Sequence, residues 1–450
     1  MVNASRPASG SADPTVRTSA VEVIEQTLES SVPVTTFLGA AAERLGPKDR
    51  GLLNHLVLGV LRWKRRLDHV LQTASNRPLD KVDPALRVPL RLGAYQILYL
   101  DRIPPHAAVS TTVDLVRARS ERASGFANAV MRRVAERPTL EEWPVQSGDP
   151  IARLGIETSH PDFLVYRWLV RLGRERTEAL LAANNLEKPM QLLAFNDKGG
   201  REALAEDLAA EDVVVEKSQL SPVGLVVRSG TPIGTSAFQE GRFYIQDEAS
   251  QVAALIPPPR AGERVLDVAA SPGGKSFAQV AFEPGVRPVL ADRSVRRVGV
   301  MAENVARLGR HLPLVAADGM APPITSAFDR VLLDLPCSGT GTFRKNPELK
   351  WRVTEAEINR LSSLGRRLLS AVSPLVRSGG RLTVITCSLE PEENEDIVER
   401  FLSRHRDFEL ESFATTMDPW IQAGLENATR WRLTTGGDHD GFTVHSLLRS

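Results

Sequence analysis

The two cysteines of this 450-residue chain are its most reactive side chains, and both follow apolar runs that predict β-strands. Cys337 closes the sequence Asp-Leu-Pro-Cys that begins at Asp334, and Cys387 lies in Thr-Cys-Ser, directly after the apolar run 382–385. A free cysteine is more often a small buried hydrophobe than a reactive group. Two cysteines at strand ends, in a chain that otherwise avoids this residue, favour chemistry instead. A thiolate is a soft nucleophile whose ordinary pKa of about 8.5 must be lowered by its surroundings.

A third loop of the same kind lies upstream, with the sequence Asp-Val-Ala-Ala-Ser-Pro-Gly-Gly-Lys-Ser over residues 267–276. Its glycines let the backbone approach a ligand, and the helix expected to follow offers free N–H groups at its start. The loop lacks the Gly-x-Gly-x-x-Gly pattern of dinucleotide-binding proteins. Ligands of open α/β sheets bind outside the carboxyl ends of the strands. The three loops therefore predict one active site at the carboxyl edge of a parallel sheet.

Two further aspartates follow the next predicted strands along the chain. Asp292 follows the run 288–291, and an acid at that place suits the two hydroxyls of a ribose. Asp318 follows the run 314–316, where it would meet an adenine ring. Taken singly, an aspartate after a strand is more often a turn residue or a helix cap. Together and in this order, the acids predict a pocket for adenosine.

The composition predicts a globular protein of about three domains, since 42% of the residues are hydrophobic and 25% are charged. We expect no membrane span, because no apolar run reaches about 18 residues. The first fifteen residues lack the apolar segment of a signal peptide and predict a disordered start. Two cysteines without a disulfide framework fit a reducing, cytoplasmic location. The eight histidines are scattered outside any zinc-binding pattern, so no metal site is expected.

Charge is unevenly distributed along the chain. Residues 1–140 contain 20 Lys and Arg and 13 Asp and Glu, a net charge of +7, and the remaining residues carry −6. This asymmetry suggests a polyanionic partner for the N-terminal part. A solvated basic face explains the same charge equally well.

Hydrophobic periodicity divides the chain into regions of different fold. Residues 15–140 predict a basic helical bundle after the disordered start 1–14, since apolar residues recur there at helical spacing. Residues 141–159 predict a linker. Residues 160–240 predict a small α+β module, with strands at 191–196 and 224–228 around a helix at 201–210. Residues 241–450 alternate strands and helices, which is typical of a doubly wound parallel sheet. The strands are expected at 265–268, 288–291, 314–316, 330–333 and 382–385, and the helices at 294–308, 354–378 and 391–404.

The three loops together resemble the signature motifs of RNA cytosine-C5 methyltransferases. The resemblance rests on residues 267–275, 334–341 and 386–394. The first loop of this sequence differs from the usual Cys-Ala-Ala-Pro-Gly-Gly-Lys at Ala269 and Ser271. A few other motif positions also differ from the usual residues. None of these departures removes a reacting group.

The N-terminal region carries three helical motifs, at residues 59–63, 91–96 and 126–133. They resemble the NusB-like domain that precedes the catalytic part in bacterial small-subunit rRNA methyltransferases of the Sun/Fmu type. The resemblance covers about residues 15–450. It implies a Rossmann-like S-adenosylmethionine methyltransferase domain preceded by an all-α NusB-like bundle and a small α+β module.

The resemblance also implies an activity and assigns residues to it. The enzyme would transfer a methyl group from S-adenosylmethionine to C5 of a cytosine, most plainly in small-subunit (16S) rRNA. Cys387 would attack C6, Cys337 would assist β-elimination, and Asp334 would hydrogen-bond the cytosine and help protonate the ring. The residues expected at the S-adenosylmethionine site are Ala269, Ala270, Ser271, Pro272, Gly273, Gly274, Lys275, Asp292, Arg297, Asp318 and Asp334.

Several alternatives stay open from the residues alone. Lys275 is either a pocket residue or a cation that faces solvent, since cations are disfavoured at helix N-termini. The bundle and the α+β module would hold RNA through its phosphates, either as free rRNA or within a partly assembled subunit. Two rival classes are a methyltransferase for protein or small molecules and a non-catalytic RNA-binding or assembly factor. Two cysteines beside a basic domain argue against the first rival, and intact reacting groups argue against the second.

Overall fold

The computed structural model describes residues 15–324 and 327–450, so the predicted disordered start at 1–14 lies outside the described residues. The chain divides into two compact units. The first contains the residues up to Asn185 together with the segment Asn346–Arg352. The second contains Leu186–Lys345 and Val353–Ser450. Among the described residues, no helix has both the length and the apolar character that crossing a membrane requires.

The first unit is helical, as the periodicity of its sequence predicts. Helix α4 lies at its centre, because every residue from Val88 to Ile97 is buried, and a helix that is buried on all sides must be surrounded by others. The charge of Arg91 inside this helix is matched by Asp68, which accepts from its Nε at 2.6 Å and from its Nη2 at 3.0 Å. The helices are α1 Val16–Glu29, α2 Val34–Glu43, α3 Pro47–Ser75, α4 Pro84–Tyr99, α5 Pro105–Arg117, α6 Ser124–Ala135, α7 Pro150–Glu157, α8 Asp162–Leu172 and α9 Arg174–Ala183.

The predicted linker at 141–159 is not wholly irregular, because it contains α7. The carboxylate of Asp149 begins this helix by accepting from the backbone N–H of Ile151 at 2.9 Å. The next helices also belong to the first unit, so the division after Asn185 falls inside the region predicted as one α+β module. Arg65 of α3 holds the start of α8, since its Nη1 lies 2.6 Å from Asp162 Oδ1.

The segment Asn346–Arg352 belongs to the helical unit although it follows the Cys337 loop in sequence. The Lys350 side chain is fully buried, and its Nζ donates to Asn185 Oδ1 at 2.6 Å. The indole N–H of Trp351 donates to the Leu61 carbonyl at 2.7 Å. These bonds make the segment part of the helical unit.

The second unit begins with an antiparallel sheet in the strand order β2-β3-β1-β4. The predicted strands at 191–196 and 224–228 and the predicted helix at 201–210 are confirmed within a few residues, and the other elements of this part were not predicted. The elements are β1 Gln191–Ala194, α10 Gly200–Ala209, β2 Val214–Lys217, β3 Gly224–Ser229, α11 Ser236–Gln239 and β4 Phe243–Ile245.

A larger mixed sheet forms the rest of the second unit, in the order β11-β12-β13-β9-β8-β5-β6-β7, with β10 beside β13. The five strands that the sequence predicts, β5 to β9, pair with one another in parallel, which confirms that part of the prediction, whereas the C-terminal strands add antiparallel pairs. Short connections join β11, β12 and β13, and such connections permit only antiparallel pairing. The elements are α12 Glu248–Ala253, β5 Arg264–Asp267, α13 Gly274–Phe282, β6 Arg287–Asp292, α14 Val295–Arg307, β7 Leu314–Ala316, β8 Phe328–Asp334, α15 Glu355–Val372, β9 Val376–Thr386, α16 Glu395–Arg404, β10 Phe408–Leu410, α17 Pro419–Gln422, β11 Leu425–Asn427, β12 Arg430–Leu433 and β13 Phe442–Arg449.

Candidate active site

The three predicted loops meet at one edge of the mixed sheet. Strand β8 pairs in parallel with β5 on one side and with β9 on the other. The loops that leave the carboxyl ends of these strands therefore lie side by side. They are residues 267–276, the loop that carries Cys337 and the loop that carries Cys387, as the order of motifs predicts.

The two thiols contact each other at this edge. The Sγ atoms of Cys337 and Cys387 lie 3.4 Å apart, and both cysteines are free. The hydrogen bond to Cys387, together with burial, raises the pKa of the Cys337 thiol well above its ordinary value. This shift disfavours a thiolate at Cys337, and either sulfur can be the S–H donor in the contact.

Backbone bonds fix the two cysteine loops against each other. The N–H of Leu335 donates to the Ile385 carbonyl at 2.9 Å, and the N–H of Gly341 donates to the Cys387 carbonyl at 2.9 Å. A side chain at Gly341 would place its Cβ 2.4 Å from the Gly441 carbonyl oxygen. Only glycine permits this close approach, which places the Cys387 carbonyl next to the Cys337 loop.

Lys275 is a pocket residue and does not face solvent. Its side chain is only 11% exposed, and its ammonium forms an ion pair with the carboxylate of Asp334. Burial alone would lower the pKa of the Lys275 ammonium, but the Asp334 carboxylate outweighs burial and the pKa is raised. The ammonium also lies 5.7 Å from the centre of the Phe442 ring. The acid offsets the unfavourable position of a cation at the start of α13.

Two buried carboxylates end the neighbouring strands β5 and β6. Asp267 accepts from the Ser276 hydroxyl at 2.8 Å, and burial raises the pKa of Asp267 to about 6. Asp292 accepts from the N–H of Ser294 at 2.9 Å. Within the described residues, Asp267 Oδ1 and Asp292 Oδ2 are buried and make no hydrogen bond. Asp292 Oδ2 has an ion-pair partner in Arg297, whereas Asp267 Oδ1 has neither a hydrogen bond nor an ion pair in the part of the chain that the structure describes. A buried acceptor in that state is costly, so Asp267 Oδ1 fits a hydroxyl or amine donor of a bound nucleoside or amino acid.

Side chains of α14 hold the glycine-rich loop between β5 and α13 through hydrogen bonds. Arg297 donates from Nη2 to the Ser271 carbonyl at 3.0 Å, and its Nε lies 3.3 Å from Asp292 Oδ2. Asn304 donates to the Pro272 carbonyl at 3.0 Å. Gly273 has a φ of +107°, a conformation that glycine tolerates and other residues rarely adopt. The loop thus contains the predicted residues from Ala269 to Gly274 in a fixed shape.

Asp318 lies after β7 at the same edge of the sheet. Its Oδ1 accepts from the N–H of Met320 at 2.9 Å, so it also caps a turn. The contact shows the turn role that the sequence left open for this acid, and its place near adenine stays a prediction.

Sequence reasoning missed the buried acid Glu393 and the serines that bind it. Ser338 and Ser388 each directly follow one of the cysteines, and Asn394 donates to the Ser388 carbonyl at 2.9 Å. All of these residues lie inside the quoted motifs. Their spacing gave no sign that the two motifs share a carboxylate, because that contact joins residues far apart in the chain.

Comparison with known proteins gives matches along nearly the whole chain. Residues 254–448 match the family described as 16S rRNA methyltransferase RsmB/F, and residues 14–136 match the NusB family. Residues 160–234 match the ferredoxin-like domain of RsmF/B-like methyltransferases. The chain is similar to ribosomal RNA small subunit methyltransferase B of Pseudomonas putida, with 32% identity over 96% of this chain and 98% of the relative. The protein of the same name from Cronobacter sakazakii is 31% identical over 96% and 98%.

Solved structures share the fold. The crystal structure of PH0851 is 26% identical to this chain and superposes with a TM-score of 0.79, over 97% of this chain and 99% of the other. The crystal structure of NSun6 from Pyrococcus horikoshii has a TM-score of 0.57 at 20% identity, over 64% and 98%, and shows the fold alone. The three family models match successive parts of this chain, and the two relatives match nearly the whole of both chains. The chain therefore belongs to the RsmB/F family of S-adenosylmethionine-dependent 16S rRNA methyltransferases.

Proposed function

We propose that this protein methylates C5 of a cytosine in 16S rRNA through a transient covalent bond between Cys387 Sγ and C6 of the base. One observation carries the proposal: two free thiols lie 3.4 Å apart on the carboxyl edge of the sheet. A methyltransferase that acts on a nucleophilic nitrogen or oxygen needs no thiol. A pair of thiols suits a carbon atom that must first be activated.

The chemistry requires a nucleophile because C5 of cytosine is too weakly nucleophilic to take a methyl group unaided. Attack of a thiolate on C6 converts C5 into an enamine-like carbon, which is covalent catalysis. S-adenosylmethionine supplies an electrophilic methyl group when it is bound. Afterwards C5 bears both a methyl group and its original hydrogen. Loss of that proton and cleavage of the C6–S bond restore the ring and free Cys387.

The electrostatics of the site favour Cys387 as the nucleophile. The contact with Cys387 and burial raise the pKa of the Cys337 thiol, which makes Cys337 the weaker competitor for attack on the base. The Lys275 ammonium and Cys387 are close enough to interact electrostatically, and a cation favours a thiolate. Once the Cys337 thiol has released its own proton to solvent, its thiolate would take the C5 proton, and Asp334 would accept from the amino group of cytosine.

The carboxylates at the ends of β5 and β6 are suited to hold S-adenosylmethionine. Asp292 would accept from the ribose hydroxyls, as an acid at the end of the second strand does in similar folds. Asp318 would contact the adenine ring of S-adenosylmethionine. The loop from Ala269 to Lys275 would contact its amino-acid part. Arg297 would act through the loop, since it binds the Ser271 carbonyl and pairs with Asp292.

Replacing Asp292 with alanine is expected to weaken S-adenosylmethionine binding about tenfold to hundredfold. Hydrogen bonds to a charged group contribute about 1.5–3 kcal/mol, which is the source of that range. Isothermal titration calorimetry measures the change directly. Glu303→Ala on the exposed side of the adjacent helix α14 is the matched control and should bind normally. Unchanged affinity in Asp292→Ala would remove this acid from the site.

The RNA is expected to bind mainly through its phosphates to the basic N-terminal region. Residues 1–140 carry a net charge of +7, and such contacts weaken steeply as salt rises. The target cytosine must leave any base stack to reach Cys387, so an unpaired or loop position is expected. The region 160–240 would add further contacts to the RNA.

The test is methyl transfer from tritiated S-adenosylmethionine to defined RNAs. Free 16S rRNA, a partly assembled small subunit, the mature subunit and tRNA are compared as substrates. Bisulfite sequencing of the labelled RNA then locates any 5-methylcytosine. We expect label in 16S rRNA, free or within the assembling subunit, and a single protected cytosine. Label in protein alone, or label in RNA without 5-methylcytosine, would refute the proposal.

A further inference from the structure

A buried carboxylate connects the two cysteine loops. Glu393 lies in a short 3-10 turn, Pro391–Glu393, just before α16, and is 1% exposed. Its Oε1 accepts from the backbone N–H of Ser338 at 2.8 Å, and its Oε2 accepts from the Ser338 hydroxyl at 2.6 Å. Ser338 directly follows Cys337, so both oxygens of this acid hold the residue next to the thiol.

The same carboxylate reaches the other loop through Ser388. The Ser338 and Ser388 hydroxyl oxygens lie 3.4 Å apart, and the Ser388 hydroxyl also interacts with Glu393. Thr340 adds a contact of 3.3 Å to the Ser388 hydroxyl. Each serine follows one cysteine, so the network joins the two residues that determine where the thiols lie.

The surroundings of Glu393 make its negative charge costly to bury. Once formed, that charge affects the pKa of its neighbours. Burial, with a smaller contribution from Glu390, raises the pKa of Glu393 to about 7, against the bonds from the two serines. The negative charge of Glu393 in turn contributes to the raised pKa of Cys337. Helices α15 and α16 pack against this turn. Their charged residues are Glu355, Glu357, Arg360, Arg366 and Arg367 of α15 and Glu395, Asp396, Glu399, Arg400 and Arg404 of α16. Glu395 is paired with Arg432.

We propose that Glu393 is a positioning residue that holds the Cys337 and Cys387 loops together through Ser338 and Ser388 and places a negative charge on the Cys337 side of the pair, so that attack by Cys387 is favoured. The inference rests on the proposed function and deepens it, because it assigns to one buried acid a part in distinguishing the two thiols. If residue 393 served only to accept hydrogen bonds from serine, a side chain that cannot ionise would be sufficient at this buried position.

The pH dependence of product release tests the electrostatic part of this role. Release needs Cys337 to accept a proton, so its rate rises as Cys337 ionises. The ionised carboxylate of Glu393 disfavours a negative charge on Cys337. Removal of the Glu393 carboxylate should therefore lower the pKa of Cys337. In Glu393→Gln the apparent pKa for decay of the covalent adduct should therefore fall by about one pH unit. The rate of adduct formation in Glu393→Gln should fall about tenfold, because a negative charge on Cys387 is then less strongly favoured over one on Cys337.

The experiment is a single-turnover reaction of the full chain with 16S rRNA over a range of pH, followed on a denaturing gel. Glu393→Gln keeps the shape of the side chain, and its amide oxygen can still accept from Ser338. Glu393→Asp keeps the charge and should leave the apparent pKa unshifted. Glu392→Gln on the same turn is the control for a neighbouring acid. Thermal unfolding of each variant reports whether it is folded.

The outcomes separate this inference from the proposed function. If the wild-type protein forms no covalent adduct, the proposed function fails. If the wild-type protein forms and releases the adduct but folded Glu393→Gln shows the same apparent pKa, the positioning role is refuted and the proposed function stands. If Gln and Asp shift the profile equally, shape and not charge is responsible, which also overturns the inference.

Discussion

Replacing Cys387 with alanine is expected to abolish methyl transfer and the covalent RNA adduct together. The variant lacks the free thiol whose Sγ lies 3.4 Å from that of Cys337. Without attack on C6, C5 is not activated, and a loss on the order of 10⁴-fold or more is expected, as for other removed nucleophiles. The measurement is tritium transfer to 16S rRNA alongside a denaturing gel.

Replacing Cys337 should have the opposite effect on the adduct. In Cys337→Ala the attack and the methyl transfer remain possible, but the group that takes the C5 proton is gone. A protein–RNA complex should therefore accumulate as a slowly migrating band that nuclease removes. The double variant Cys337→Ala/Cys387→Ala is the control and should show no band. A band with Cys387→Ala but not with Cys337→Ala would exchange the two roles, and full activity in both would refute the mechanism.

The position of the reacting groups was predictable because it depends on local pattern. Apolar runs followed by Cys337 and Cys387 predicted strand ends, and parallel strands place such ends at one edge. The pairing of β8 with β9 confirms that expectation and brings the sulfurs together. The pattern could not give their separation, which depends on the bond between Gly341 and the Cys387 carbonyl.

Contacts between distant residues were harder to predict. A lysine at the start of a helix faces an unfavourable dipole, and nothing near Lys275 in sequence showed that Asp334 would offset it. The role of Glu393 could not be predicted for the same reason, because its hydrogen-bond partner Ser338 lies in another motif. The C-terminal strands were not among those predicted for the parallel sheet, and their pairing direction depends on the length of the connections. Short turns before β12 and β13 made these strands antiparallel.

Replacing Asp334 with asparagine should impair both catalysis and folding. The amide keeps the shape of the carboxylate but leaves the buried Lys275 ammonium without its ion-pair partner. We expect a loss of methyl transfer of about 10²–10³-fold, as for other preorganised polar groups that are removed. Unfolding should become easier by about 1–3 kcal/mol, because a buried polar group is left unsatisfied. Single-turnover methylation and urea unfolding measure the two effects.

A second substitution separates the two effects of Asp334. Lys275→Met in the Asp334→Asn background removes the unpaired cation, and replacing both members of a buried pair is often neutral for stability. The double variant should therefore recover stability but not activity. In the wild-type protein Asp334 raises the pKa of Lys275, so the contribution of the pair to stability is complete at neutral pH. It is lost only as the pH rises through the raised pKa of the folded state. If the double variant recovers activity as well, Asp334 serves only to neutralise Lys275, and it has no direct contact with the base.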